Sequence, residues 1–133
     1  MRWYWDVLKK YFVFSGRARR KEYWMFLFIN LLIIVVLQIA LMSSSVSGDI
    51  NRLLLFLFMV YPWLTLIPSI AVSVRRLHDI GYSGWWYLLN FLLVIGNIIF
   101  LIMMCKDGNK GLNRFGKDPK LAEPISMDGL KSF

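Results

Sequence analysis

Three long stretches without a charged residue constrain this chain more than any other feature. They cover residues 23–42, 53–74 and 82–105 and are 20, 22 and 24 residues long. A helix rises about 1.5 Å per residue, so each can cross a hydrocarbon core of about 30 Å. In lipid, only helices and closed barrels satisfy every backbone polar group. Barrel strands alternate polar and apolar positions, and these stretches do not, so helices are predicted. Composition agrees: 58% of the residues are hydrophobic, and Lys plus Arg number 16 against 8 acidic residues. Apolar length with a basic excess at its edges is the pattern of a membrane protein. Disorder, a collagen-like fibre and a disulfide scaffold are excluded. Cys105 is the only cysteine. It can form neither an internal disulfide nor a metal site alone, and no metal or cofactor is expected.

The expected fold class is therefore all-α, a multi-pass membrane helical bundle. It has three transmembrane helices and an N-terminal interfacial amphipathic helix. Residues 1–22 hold that helix and a basic juxtamembrane segment, residues 23–105 form the membrane domain, and residues 106–133 are a basic, loop-rich tail with a mobile end. The interfacial helix is read from Trp3 to Phe14, where aromatic and aliphatic side chains interleave with Asp6, Lys9 and Lys10. Trp and Tyr prefer the headgroup level, and lysines snorkel towards it. The first apolar stretch is read as an uncleaved anchor. It is longer than a signal-peptide core and begins late, although the small residues 43–47 resemble cleavage territory.

Lys and Arg number seven in residues 1–22 and one in residues 43–52. The positive-inside rule then places the N-terminus in the cytoplasm. Three full spans put the basic tail on the opposite side. A re-entrant third stretch, turning near Gly96 and Asn97, would return the tail to the cytoplasm. Its arms of about twelve residues are too short to cross, so three spans are favoured.

Several constellations could carry chemistry. Arg17, Arg19, Arg20 and Lys21 precede the first span and can attract anionic headgroups. Arg75, Arg76, His78 and Asp79 join the second and third stretches, with an Arg–Asp ion pair at helical spacing and Gly81 ending the helix. A lone His–Asp pair is no zinc site and has no nucleophile beside it. Thr65, Ser69 and Ser73 form a polar stripe on the second span. Asn90 and Asn97 share a face of the third, and Asn30 and Gln38 give the first its polar points. These read as helix-packing positions bonding between helices. A channel or transporter path along the stripe is the alternative. Pro62 and Pro68 should each kink the second span. The run from Gly108 to Pro119 reads as a compact loop of tight turns.

Three motifs together, GRARRKEYW, RRLHDIGYSGWW and GNKGLNRFGKDP, resemble the domain-of-unknown-function 805 family of small bacterial inner-membrane proteins. Matching positions are Gly16, Arg17, Arg20, Tyr23 and Trp24 in the first. In the second they are Arg75, Arg76, Leu77, His78, Asp79, Gly81 and Trp85. In the third they are Gly111, Asn113, Arg114, Phe115, Gly116, Asp118 and Pro119. The chain departs where Asp107-Gly108 stands for a usual Pro-Gly, where Lys117 replaces a common proline, and where Phe115 replaces a common tyrosine. The resemblance implies a bacterial inner-membrane location and this architecture, and it names no activity. The resulting expectation is a non-enzymatic inner-membrane protein whose basic clusters engage anionic membrane lipids or a membrane partner. Homo-oligomerisation or a membrane protein partner is expected because three helices bury little surface, and nucleic acid is not expected as a ligand. A membrane enzyme using His78 and Asp79 is a further alternative.

Overall fold

A computed structural model describes residues 2–43 and 48–121. Residues 44–47, where the cleavage-like serines lie, and the tail end 122–133 fall outside the described residues. The described chain is helical: α1 (Arg2–Lys9), α2 (Arg20–Met42), α3 (Gly48–Asp79), a 3₁₀ helix (Gly84–Phe91) and α4 (Leu93–Cys105). The all-α membrane architecture read from the sequence is what the structure has. Two compact units divide it, Met1–Phe14 with Lys21–Ser73, and Ser15–Arg20 with Val74–Phe133.

In the first unit, α2 and α3 have 23 and 32 residues, about 34 and 48 Å of helix. Both are long and apolar enough to cross a membrane. They expose large apolar side chains all round, such as Phe28, Leu31, Ile39, Phe56 and Trp63. In water such a surface would aggregate, and in lipid it is the favourable one. The helices meet through a buried polar point: the Tyr61 hydroxyl donates to Asn30 Oδ1 at 2.5 Å, and Asn30 Nδ2 donates to the Phe26 carbonyl at 2.7 Å. Tyr4 of α1 stacks on Phe26, with ring centroids 5.4 Å apart. Helix α1 ends at Lys9, so it covers only the first part of the expected interfacial segment. Val7 of this helix is buried and Trp5 exposed, as is Phe12 beyond it.

Helix α3 runs unbroken through Pro62 and Pro68. Pro68 has no amide proton, so the carbonyl four residues back, Leu64, loses its helical donor. The Tyr11 hydroxyl supplies one at 2.5 Å. The Thr65, Ser69 and Ser73 hydroxyls each bond the carbonyl four residues back on their own helix, at 3.1, 2.6 and 2.7 Å. The stripe expected to bond between helices is thus satisfied within one helix. Asn97 does the same, donating to the Leu93 carbonyl at 2.7 Å.

The third apolar stretch differs most from expectation. The single helix expected over 82–105 is divided: an eight-residue 3₁₀ helix and a thirteen-residue α-helix meet at Leu92. These measure about 16 and 20 Å, each well short of 30 Å. Leu93 takes a positive φ of 40° at the junction. The two helices pack so closely that a Cβ on Gly96 would lie 1.9 Å from the Leu89 carbonyl oxygen. The ends of the stretch also come together: Lys106 Nζ is 5.8 Å from the Tyr82 ring centre. The 3₁₀ helix and α4 therefore pack against each other within the second unit.

Replacing Tyr11 by Phe removes only the donor to Leu64. A carbonyl left without its partner costs about 1–3 kcal/mol. The Tyr11→Phe chain should unfold at correspondingly lower denaturant in mixed micelles, and an unchanged midpoint would contradict this role.

Candidate functional site

Residues 16–20 of the first motif meet the other two motifs in the second unit, around the carboxylate of Asp79. Helix α3 delivers that carboxylate from its last turn, and Gly81 (φ 82°) stops the helix just beyond it. The Tyr82 amide bonds the Leu77 carbonyl at 2.9 Å and the Gly81 amide bonds the His78 carbonyl at 3.1 Å. This paired arrangement is the Schellman close, which needs a left-handed residue at Gly81.

Arg17 Nε donates to Asp79 Oδ1 at 2.8 Å, and Arg76 Nη1 donates to Oδ2. The three side chains are 1%, 0% and 4% exposed for Arg17, Arg76 and Asp79. Other guanidinium donors of the two arginines meet backbone oxygens. Arg17 Nη1 bonds the Gly111 carbonyl at 2.6 Å and that of Gly116 at 3.3 Å, and Nη2 bonds the Asn109 carbonyl. Arg76 bonds the carbonyls of Met104, at 3.4 Å, and of Lys106. A planar guanidinium offers five fixed donors, which lets one side chain join several segments. Arg17 thereby ties the N-terminal motif to α3 and to the loop, and Arg76 ties α3 to the end of α4. Burying these charges is costly unless they are paired and hydrogen-bonded, as they are here.

The loop has its own supports. Asn113 and Gly116 exchange backbone bonds at 3.1 Å, and Asn113 Oδ1 accepts the Phe115 amide at 2.9 Å. Asn113 Nδ2 donates to the His78 carbonyl at 3.0 Å, and Arg114 Nη2 to that of Gly81 at 3.1 Å. Asp118 accepts the amides of Lys120 and Gly111 at 2.9 and 3.2 Å. These bonds, the Lys120 amide foremost, hold its carboxyl below the usual range, with Arg17 and Lys120 adding charge attraction. Arg19 Nε bonds the Pro119 carbonyl at 2.9 Å, and Arg20 pairs with Asp107.

His78 lies one helical position from Asp79 but turns elsewhere. It lies in the extension of α3 beyond the apolar run 53–74. Its Nδ1 donates to the Gly16 carbonyl at 3.2 Å, and its ring stacks on Phe115, with centroids 4.0 Å apart and planes 4° from parallel. Burial pushes its pKa down, opposed by the Gly16 bond and assisted by nearby Arg114. His78 and Asp79 therefore work on separate contacts. Arg75 is also buried, at 1% exposure, and its carbonyl accepts the Ala18 amide at 3.0 Å. Lys21 is exposed. Asn90 is partly buried in the 3₁₀ helix. No cluster of three metal-ligating side chains occurs among the described residues.

Sequence reasoning missed two members. Asn109 joins through its backbone: its amide bonds the Asp79 carbonyl at 2.7 Å. Gly108 lies against the carboxylate, where a Cβ would come within 2.0 Å of Asp79 Oδ2. The departure from Pro-Gly to Asp107-Gly108 retained the glycine, and that was the available signal.

A family described as "Protein of unknown function (DUF805)" matches residues 11–117. The chain belongs to this family. The match takes in the whole assembly except Asp118 and Pro119, which lie just past it. Among curated relatives, inner membrane protein YhaI of Escherichia coli (strain K12) is 43% identical, over 90% of this chain and 97% of the relative. Inner membrane protein YhaH of the same strain is 44% identical, over 91% and 98%. Uncharacterized protein YiiR is 30% identical, over 80% and 86%. No solved structure matches. With its apolar helices, this DUF805 member is an inner-membrane protein.

Because Asp79 is held from both sides, it cannot swing away from an added methyl at residue 108. Gly108→Ala should cost about 1–3 kcal/mol by overpacking and lower the melting temperature in detergent. Gly48→Ala, with nothing within 4 Å of the new methyl, should leave it unchanged. Equal behaviour of the two variants would contradict the close fit at Asp79.

Proposed function

We propose that this DUF805 member is a non-enzymatic inner-membrane protein that presents a rigid basic loop to anionic lipid headgroups. The carrying observation is the exposed set Lys106, Lys110, Arg114, Lys117 and Lys120, on a segment fixed beside the end of α3 by the buried Arg17–Asp79–Arg76 clamp. The headgroup role first assigned to Arg17 and Arg76 passes to these side chains, since the two arginines direct their donors inward.

In this reading, residues 23–42 and 53–74 cross the membrane, and residues 82–105 enter it and return. Two features support the return: the contact between Tyr82 and Lys106, and the shortness of both arms. Fifteen of the sixteen Lys and Arg then fall on one side, with Arg52 on the other. Such an asymmetry makes the basic side cytoplasmic. A cytoplasmic leaflet carrying anionic lipid attracts each cation near its surface by about 1 kcal/mol.

Reversing Lys110, Lys117 and Lys120 to Glu together tests the reading. Native mass spectrometry of the variant, extracted from membranes containing phosphatidylglycerol, should show most of the retained anionic lipid lost, with an unchanged melting temperature. Full retention by a folded variant would contradict it.

A further inference from the structure

Beside the 3₁₀ helix lies a groove of about 400 Å³ lined by Trp85, Trp86, Leu88, Leu89 and Leu92. Its lining is apolar and largely open, with Trp85 78% and Leu92 62% exposed. A cation stands next to it. Lys106 Nζ lies over the Tyr82 ring at 5.8 Å, and the Tyr82 ring meets Trp86 edge-on, with centroids 5.4 Å apart. Trp86 is a wall of the groove, so ammonium and groove are two aromatic rings apart. Among the described residues, no carboxylate pairs with Lys106. The neighbouring Asp107 is engaged by Arg20 and, at 3.7 Å, by Lys120.

We propose that this groove and Lys106 together form a site for one anionic phospholipid. The phosphate sits on the Lys106 ammonium, and an acyl chain lies along Trp86 and Leu89. The proposal rests on the reading that the basic loop faces headgroups, and it narrows that reading to one lipid position. Tyr and Trp rings are suited to this boundary because one end of each is apolar and the other tolerates headgroup and water. Zwitterionic lipid would bring its own ammonium towards Lys106, whereas a phosphate with no such cation would not. The larger cavity of about 660 Å³ around Phe91, Val94, Ile95 and Ile99 has only apolar side chains around it. It takes acyl chains without regard to headgroup and so serves as an internal control.

The test uses the full chain in phosphatidylcholine vesicles, with Trp86 kept as the only tryptophan by changing the other five to Phe. Acyl-brominated lipids quench tryptophan on contact. Brominated phosphatidylglycerol should occupy the Trp86 site about fivefold better than brominated phosphatidylcholine, as expected for one cation at a headgroup. Lys106→Gln should bring the ratio to about one, and a reporter introduced by Ile95→Trp into the tryptophan-free chain should give about one throughout. Inorganic phosphate should not reduce the preference. A ratio near one at Trp86, or a preference that survives Lys106→Gln or vanishes with inorganic phosphate, overturns the site. If the Lys110/Lys117/Lys120 reversal strips retained lipid while Trp86 shows no preference, this site is refuted and the broader headgroup reading stands. Should the five substitutions prevent folding, Lys106→Gln is made in the natural chain. A selective loss of phosphatidylglycerol quenching supports the site, and no loss overturns it.

Discussion

A single carboxylate organises this protein's charged end. Asp79 sits at the last turn of α3 with one oxygen on Arg17 and the other on Arg76. Without it, two buried guanidinium groups would lie close together with no counter-charge between them. Removing one partner of such a set typically costs about 3–5 kcal/mol, because a buried charge is left uncompensated. The carboxylate neutralises only part of the positive charge. Carbonyl oxygens of Met104, Lys106, Asn109, Gly111 and Gly116 accept the remaining donors. That requirement for backbone acceptors fixes the path of the loop, and the path of the loop decides which lysines stand exposed.

Several polar groups of the membrane portion are likewise satisfied locally. Hydroxyls of Thr65, Ser69 and Ser73 bond carbonyls of their own helix, and Tyr11 serves the carbonyl that Pro68 leaves without a donor. In lipid no water can take these places. The Asn30–Tyr61 bond joins α2 to α3, and it gives their packing a register that apolar contacts alone would leave loose.

The spans of α2 and α3 were legible because an uncharged run of twenty residues has few alternatives to a crossing helix. The third run had the same composition, and composition cannot show that it divides into two helices at Leu92. The division goes with a close approach at Gly96 and a pair of end contacts, Tyr82 with Lys106 and Arg76 with the Met104 and Lys106 carbonyls. None of these leaves a mark on hydropathy. The motifs of the charged end were also legible, and so was the Arg76–Asp79 pair at helical spacing. Arg17 as the second partner of Asp79 was not, because the two are 62 residues apart and only the folded loop brings them together. Arginine runs at a membrane edge read as surface charge, whereas here the two most connected arginines are interior.

The account stands on the N-terminal motif and the 109–116 loop sharing one side of the membrane, since Arg17 bonds both Asp79 and that loop. The most direct measurement places single cysteines at Ser15 and at Leu112, both exposed, each with Cys105→Ser. Cells with a permeabilised outer membrane are then treated with a maleimide that cannot enter the cytoplasm. The account predicts that both positions are protected in intact cells and both are labelled after lysis. Protection at Ser15 with labelling at Leu112 in intact cells would put the two segments on opposite faces and contradict the clamp.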